Sequence, residues 1–79
     1  MDASEFYAQI SNVQNRLNNL RSMRKGTENT SSVMVDVNHL ILSLENNWDK
    51  ISDSNAQRTI YEQIKVLRAN YNSLLNAGY

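Results

Sequence analysis

Apolar residues recur four and three positions apart in three separate runs. The first is Phe6, Ile10, Val13, Leu17 and Leu20. The second is Val33, Val37, Leu40 and Leu44, widened by Met34 and Ile41. The third is Ile60, Ile64, Leu67, Tyr71 and Leu74, opened by Ala56 and flanked near its end by Leu75. This spacing puts each set on one face of a helix that turns about 100° per residue. No proline interrupts a run, and the two glycines, Gly26 and Gly78, lie outside all three. The sequence therefore predicts an all-α chain forming one helical domain over residues 1–79, with helices over about 3–25, 32–48 and 55–76.

Two stretches separate the runs. Lys25-Gly26-Thr27-Glu28-Asn29-Thr30-Ser31-Ser32 has no apolar residue and one glycine, and reads as a break or a strong bend. The phase of the stripes agrees. The thirteen steps from Leu20 to Val33 rotate a straight helix by roughly 220°, which would put the two stripes on nearly opposite faces. The second stretch, Asn46-Asn47-Trp48-Asp49-Lys50-Ile51-Ser52-Asp53-Ser54-Asn55, is rich in residues whose side chains compete for backbone hydrogen bonds and favour caps and turns. It holds the only tryptophan. The fold expected is an antiparallel helical hairpin turning at Trp48, with its first arm bent or broken near Gly26. A sharp break would let the three segments close as a three-helix bundle. Trp48 is expected to be largely buried, pinning the turn. Capping signals place Asp2 with Glu5 at the first helix start and Ser54 with Gln57 at the third.

Composition narrows the function classes. At 79 residues the chain is short enough to be marginally stable alone, and the absence of cysteine rules out disulfides and thiolate metal sites. The eight cations and eight acids balance, which argues against a general binder of nucleic acid or membrane surfaces. Charge is uneven along the chain. Residues 1–25 carry four cations against two acids, residues 26–53 one against five, and residues 54–79 three against one. The cluster Arg16, Arg21, Arg24 and Lys25 reads as a solvated helix end, where cations favour the helix dipole. No apolar run reaches the roughly 18 residues of a membrane span. The start Met1-Asp2-Ala3-Ser4-Glu5 lacks the basic and apolar regions of a cleaved signal peptide. The expected location is cytoplasmic, or outside the cell by a route that uses no such peptide.

Catalytic signals are missing from the sequence. His39 is the only histidine, with Asp36 three residues before it. A two-ligand set without cysteine or a second histidine falls short of a zinc or di-metal site, so His39 reads as a surface or boundary residue. No Ser-His-Asp set, glycine-rich phosphate loop or paired carboxylates stand out. The expectation is a protein that is not an enzyme, with no catalytic residue, metal or cofactor. Tyr7, Tyr61, Tyr71 and Tyr79 suit half-buried core edges and interface contacts.

A small, cysteine-free helical chain with a lone tryptophan at the mid-chain turn resembles the WXG family of small proteins exported by type VII secretion systems. The residues that carry the likeness are Leu40 to Leu44 leading into Asn46-Asn47-Trp48, then Ser52, Ala56 and Ile60 opening the next helix. Where the family motif has glycine this chain has Lys50, so the turn reads Trp48-Asp49-Lys50. The family export signal, Tyr-x-x-x-Asp/Glu, has no counterpart after Tyr7, Tyr61 or Tyr71. The resemblance implies a helical hairpin that pairs into a dimeric four-helix bundle and serves as a secreted substrate or an escort for a larger effector. Other readings of the same features are a small subunit or chaperone of another secretion apparatus, such as a type III needle protein, and a helical regulator or adaptor.

Three apolar stripes on a two-armed hairpin leave one uncovered. The sequence reading assigns that role to Phe6, Ile10, Val13, Leu17 and Leu20. It predicts a homodimer, or a heterodimer with another helical protein, through these five residues, and no nucleic-acid partner.

Overall fold

The computed structural model describes residues 2–79. All its regular structure is helical: α1 over Ala3–Leu20, α2 over Glu28–Asn47, a single 3₁₀ turn over Trp48–Lys50, and α3 over Ser54–Asn76. Each helix packs against the other two, in a body of 41 × 18 × 18 Å.

The helix starts are capped by side chains. Asp2 accepts from the Glu5 amide, Thr27 from the Thr30 amide, and Asp53 from the amides of Asn55 and Ala56. The third cap is thus Asp53, one residue before the expected Ser54. The expected partner Gln57 instead donates its side-chain amide to the Asp49 carbonyl at 2.9 Å.

The first break is sharp. α1 stops at Leu20 rather than near residue 25, closing with hydrogen bonds from the Ser22 amide to the Asn19 carbonyl and from the Met23 amide to the Leu20 carbonyl. Arg21, Arg24 and Lys25 therefore lie in the connector, not in a last helical turn. Gly26 supplies φ +77°, a conformation that lets the chain turn where other residues would be strained. α2 begins at Glu28, four residues earlier than its apolar pattern suggests. The reason is Thr27, which caps a first turn made wholly of polar residues.

The core draws on all three stripes, and this overturns the assignment of the first to a partner. Phe6, Val13, Leu17 and Leu20 are fully buried and Ile10 nearly so, against Met34, Val37, Ile41, Leu44, Ile60, Ile64, Leu67, Tyr71 and Leu74 of the same chain. The break at residues 21–27 reverses the chain and lays α1 over both other helices. The face expected to be open is covered from within. In the second stripe Val37, Ile41 and Leu44 are deepest and Met34 is buried with them, while Val33 and Leu40 are half-buried beside them.

Candidate partner-docking site

The Trp48-Asp49-Lys50 turn falls where the sequence puts it. Its geometry explains why lysine serves at the third position. No non-glycine residue among those described has positive φ, so the 3₁₀ turn stays right-handed and does not require glycine at residue 50. Lys50 donates to the Asn47 side chain at 2.9 Å, and Asn47 in turn donates to the Ser43 carbonyl at 2.6 Å. Asp49 and Lys50 are exposed. Ile51, in extended backbone, turns inward and is buried.

Trp48 is half-buried rather than largely buried. One part of its ring meets the core, and the rest stands against Tyr61, with ring centroids 4.6 Å apart and planes tilted by 39°. Lys65 Nζ lies 5.3 Å from the centre of the Tyr61 ring, within cation–π range. Further along α3, Arg68 reaches across to α2. It donates to both carboxylate oxygens of Glu45, at 2.7 and 3.1 Å, and to the Asn38 side chain at 2.7 Å. Its guanidinium also sits 5.3 Å over the Tyr71 ring. The hydrogen bonds to Glu45 raise Arg68 above its usual value, while burial pulls the other way. The pair is bidentate but partly exposed, so it fixes position more than it stabilises, at up to about 1 kcal/mol.

Glu45, Trp48, Tyr61, Ile64, Lys65 and Arg68 enclose a cleft of about 310 Å³ between α2 and α3. Its walls combine Trp48, Tyr61 and Ile64 with the charged side chains of Glu45, Lys65 and Arg68. Three of the five N–H groups of Arg68 are taken by Glu45 and Asn38. Among the described residues the Glu45–Arg68 pair is the only ion pair, so Lys65 faces the cleft as a cation without a carboxylate. This arrangement can receive an apolar or aromatic group and hold an acid beside it. A second depression of about 370 Å³ lies between α1 and α3, lined by Ile10, Ser11, Gln14, Glu62, Gln63, Val66 and Leu67. It carries one charged side chain, Glu62, and no aromatic ring, and its Gln14 donates to the Asn18 side chain at 3.3 Å.

Of the residues singled out in the sequence, Trp48, Tyr61 and Ile64 line the cleft, with Asp49 and Lys50 in the turn beside it. Phe6, Ile10, Val13, Leu17 and Leu20 are core. Lys65 and Arg68 were overlooked, although with Tyr61 their spacing of four and three marks one face of α3 beside the buried stripe. Nothing local signals that Glu45 and Arg68, 23 residues apart, would pair. His39 and Asp36 are exposed on α2, and among the described residues no three His, Cys, Asp or Glu side chains come together as a metal set. Arg16 stands on α1, apart from Arg21, Arg24 and Lys25 in the connector. Lys25 is drawn over the Tyr79 ring at 5.2 Å. Searches against protein-family models, curated proteins and solved structures find no match to this chain.

Proposed function

We propose that this chain is a non-catalytic helical interaction protein, a three-helix bundle whose α2–α3 hairpin docks a helical partner at the Trp48 cleft. We further propose that it is a divergent WXG-like protein of a type VII secretion system, serving as a secreted substrate or as the escort of a larger effector. The observation that carries the docking reading is the cleft itself. A half-exposed tryptophan and tyrosine are held in place by the core and flanked by a rigid Arg–Glu pair and a free lysine. Tryptophan, tyrosine and arginine dominate the energetics of protein interfaces because they bury much area at little rotamer cost. The family reading rests on the lone tryptophan at the turn between two long helices in a cysteine-free chain. Because α1 fills the inner stripe, a partner adds to the outside of a finished core and does not complete it. The partner's matching feature is an apolar or aromatic side chain near an acid, the acid meeting Lys65.

The test has two arms. The chain is co-expressed with the helical proteins encoded beside it, and complexes are sized by light scattering. A partner should bind, and Tyr61→Ala or Lys65→Glu should weaken it at least tenfold without changing helix content. Binding that ignores both substitutions would remove the cleft from the reading. In the second arm, culture medium is compared between cells with and without the secretion ATPase. Equal amounts of the chain or its partner outside both strains would remove the type VII assignment.

A further inference from the structure

We propose that the outer face of α2 pairs with the same face of a second copy, the two helices running in opposite directions. This surface is separate from the Trp48 cleft and does not depend on what the cleft binds.

The first observation is a second stripe on α2. Ser32, Val35, His39, Leu42 and Asn46 follow one another at spacings of three and four, the pattern of a coiled-coil seam. Val35 and the buried Val37 are two residues, or about 200°, apart, so this stripe faces directly away from the core. All five residues are exposed, Val35 by 54% and Leu42 by 42%. α2 is the least one-sided of the three helices and the most apolar. Its apolar residues exceed what its inner face needs.

The second observation identifies the occupant. The two ends of the body are oppositely charged. One end holds the connector with Arg21, Arg24 and Lys25, which Tyr79 joins by donating its hydroxyl to the Arg21 carbonyl at 3.0 Å. Among the described residues the only acidic side chain there is Glu28. Among the described residues the other end holds Asp2, Glu5, Asp49 and Asp53, with Lys50 in the turn and Arg58 one turn into α3. Asp2 and Ala3 share a depression there with residues 50–53. The surface complementary to each end is therefore the opposite end of an identical chain. α2 runs from the basic end to the acidic one.

Antiparallel pairing uses both observations at once. Val35 and Leu42 lie symmetrically about a point between residues 38 and 39, so each Val35 meets the Leu42 of the other copy. His39 sits at the centre. Each basic connector comes beside the acidic turn of the other chain, twice by symmetry. Parallel pairing would set like charges together. Stacking end to end would use a face of only 18 × 18 Å and leave Val35 and Leu42 bare. The flanks of α2 carry Asp36, with no cation along the helix, so the attraction comes from the ends. A helix face about 30 Å long covers on the order of 400 Å² per partner, half of a standard interface. The pair is thus weak, reversible and sensitive to salt.

The test is sedimentation equilibrium of the full chain from about 10 µM to about 1 mM, a range suited to a small interface. It is repeated at about 50 and about 500 mM salt, where screening differs strongly. A monomer–dimer equilibrium that weakens at the higher salt is expected. Leu42→Glu should weaken it at least tenfold with the melting temperature unchanged, since the site is exposed. Arg24→Glu should also weaken it, and Asp49→Arg added to Arg24→Glu should restore it. A monomer throughout would overturn the proposal. So would a dimer indifferent to Leu42→Glu, or a charge-swapped pair that fails to recover.

Discussion

The chain reverses direction twice, and the two reversals are held by opposite kinds of chemistry. The connector between α1 and α2 is a polar lock. Thr30 is fully buried and donates its hydroxyl to the Arg24 carbonyl at 2.6 Å, while Thr27 donates to the Thr30 oxygen at 2.9 Å. Gly26 provides the one left-handed residue the path needs. The turn between α2 and α3 is an apolar plug. Trp48 and Ile51 press on the core, backbone φ stays negative, and the polar contacts sit at the surface. A polar lock depends on geometry and fails when one group is left without a partner. An apolar plug depends on area and fails in proportion to what is removed. That contrast explains why the second turn can leave part of its tryptophan open to solvent, whereas the first has nothing to spare.

Both reversals matter only because helix packing makes them worthwhile, and Leu17→Glu should break both together. It places a carboxylate at a fully buried core site, and the loss should match a large share of the roughly 5–15 kcal/mol that holds a domain folded. Far-UV circular dichroism should show the helix signal collapse. A retained signal with a new oligomer would mean that α1 is separable after all. Trp48→Ala should cost about 2–3 kcal/mol, below the range for an emptied, fully buried aromatic site because part of the ring is already in water. The urea midpoint measures it, and a loss under about 0.5 kcal/mol, the level of an ordinary surface change, would show that Ile51 alone plugs the turn.

Thr30→Val keeps the shape and removes the hydroxyl, stranding the Arg24 carbonyl. It should cost about 1–2 kcal/mol, with Thr30→Ser losing less. Equal losses for the two variants would mean that packing, not the hydrogen bond, holds the connector. Gly26→Ala has the smallest expected effect, about 1 kcal/mol, by thermal melting. No atom lies within 4 Å of the added carbon, so the whole cost is backbone strain at positive φ.

The apolar plug was far more legible in the sequence than the polar lock. The stripes name their own burial: Phe6 to Leu20 and Ile60 to Leu74 are core as spaced, and Trp48 marks its turn. Thr30 could not be read. A threonine in the run Thr27-Glu28-Asn29-Thr30-Ser31-Ser32 looks like solvent-facing loop, and only the fold reveals a carbonyl waiting for its hydroxyl. The same blindness delayed the expected start of α2. The partner surface was misplaced for a related reason. A stripe shows that a face will be covered but not by what, and the sharpness of the bend at Gly26 decides whether cover comes from the same chain. In the candidate site, aromatic residues at a turn are visible in sequence, but the Glu45–Arg68 pair exists only once α2 and α3 meet.

The cleft has a consequence in time as well as in space. Every residue that encloses it lies from Glu45 to Arg68, on two helices and the six-residue connection between them. Closing so short a loop costs little entropy, and contacts local in sequence form early. α1 meets α3 only across the length of the chain. On refolding, the change in Trp48 fluorescence should therefore precede amide protection of Val13 and Leu17, and simultaneous signals would show that the three helices assemble as one step. In the first case the proposed docking surface is ready before the chain has finished folding, so a partner could engage the α2–α3 pair while α1 is still loose.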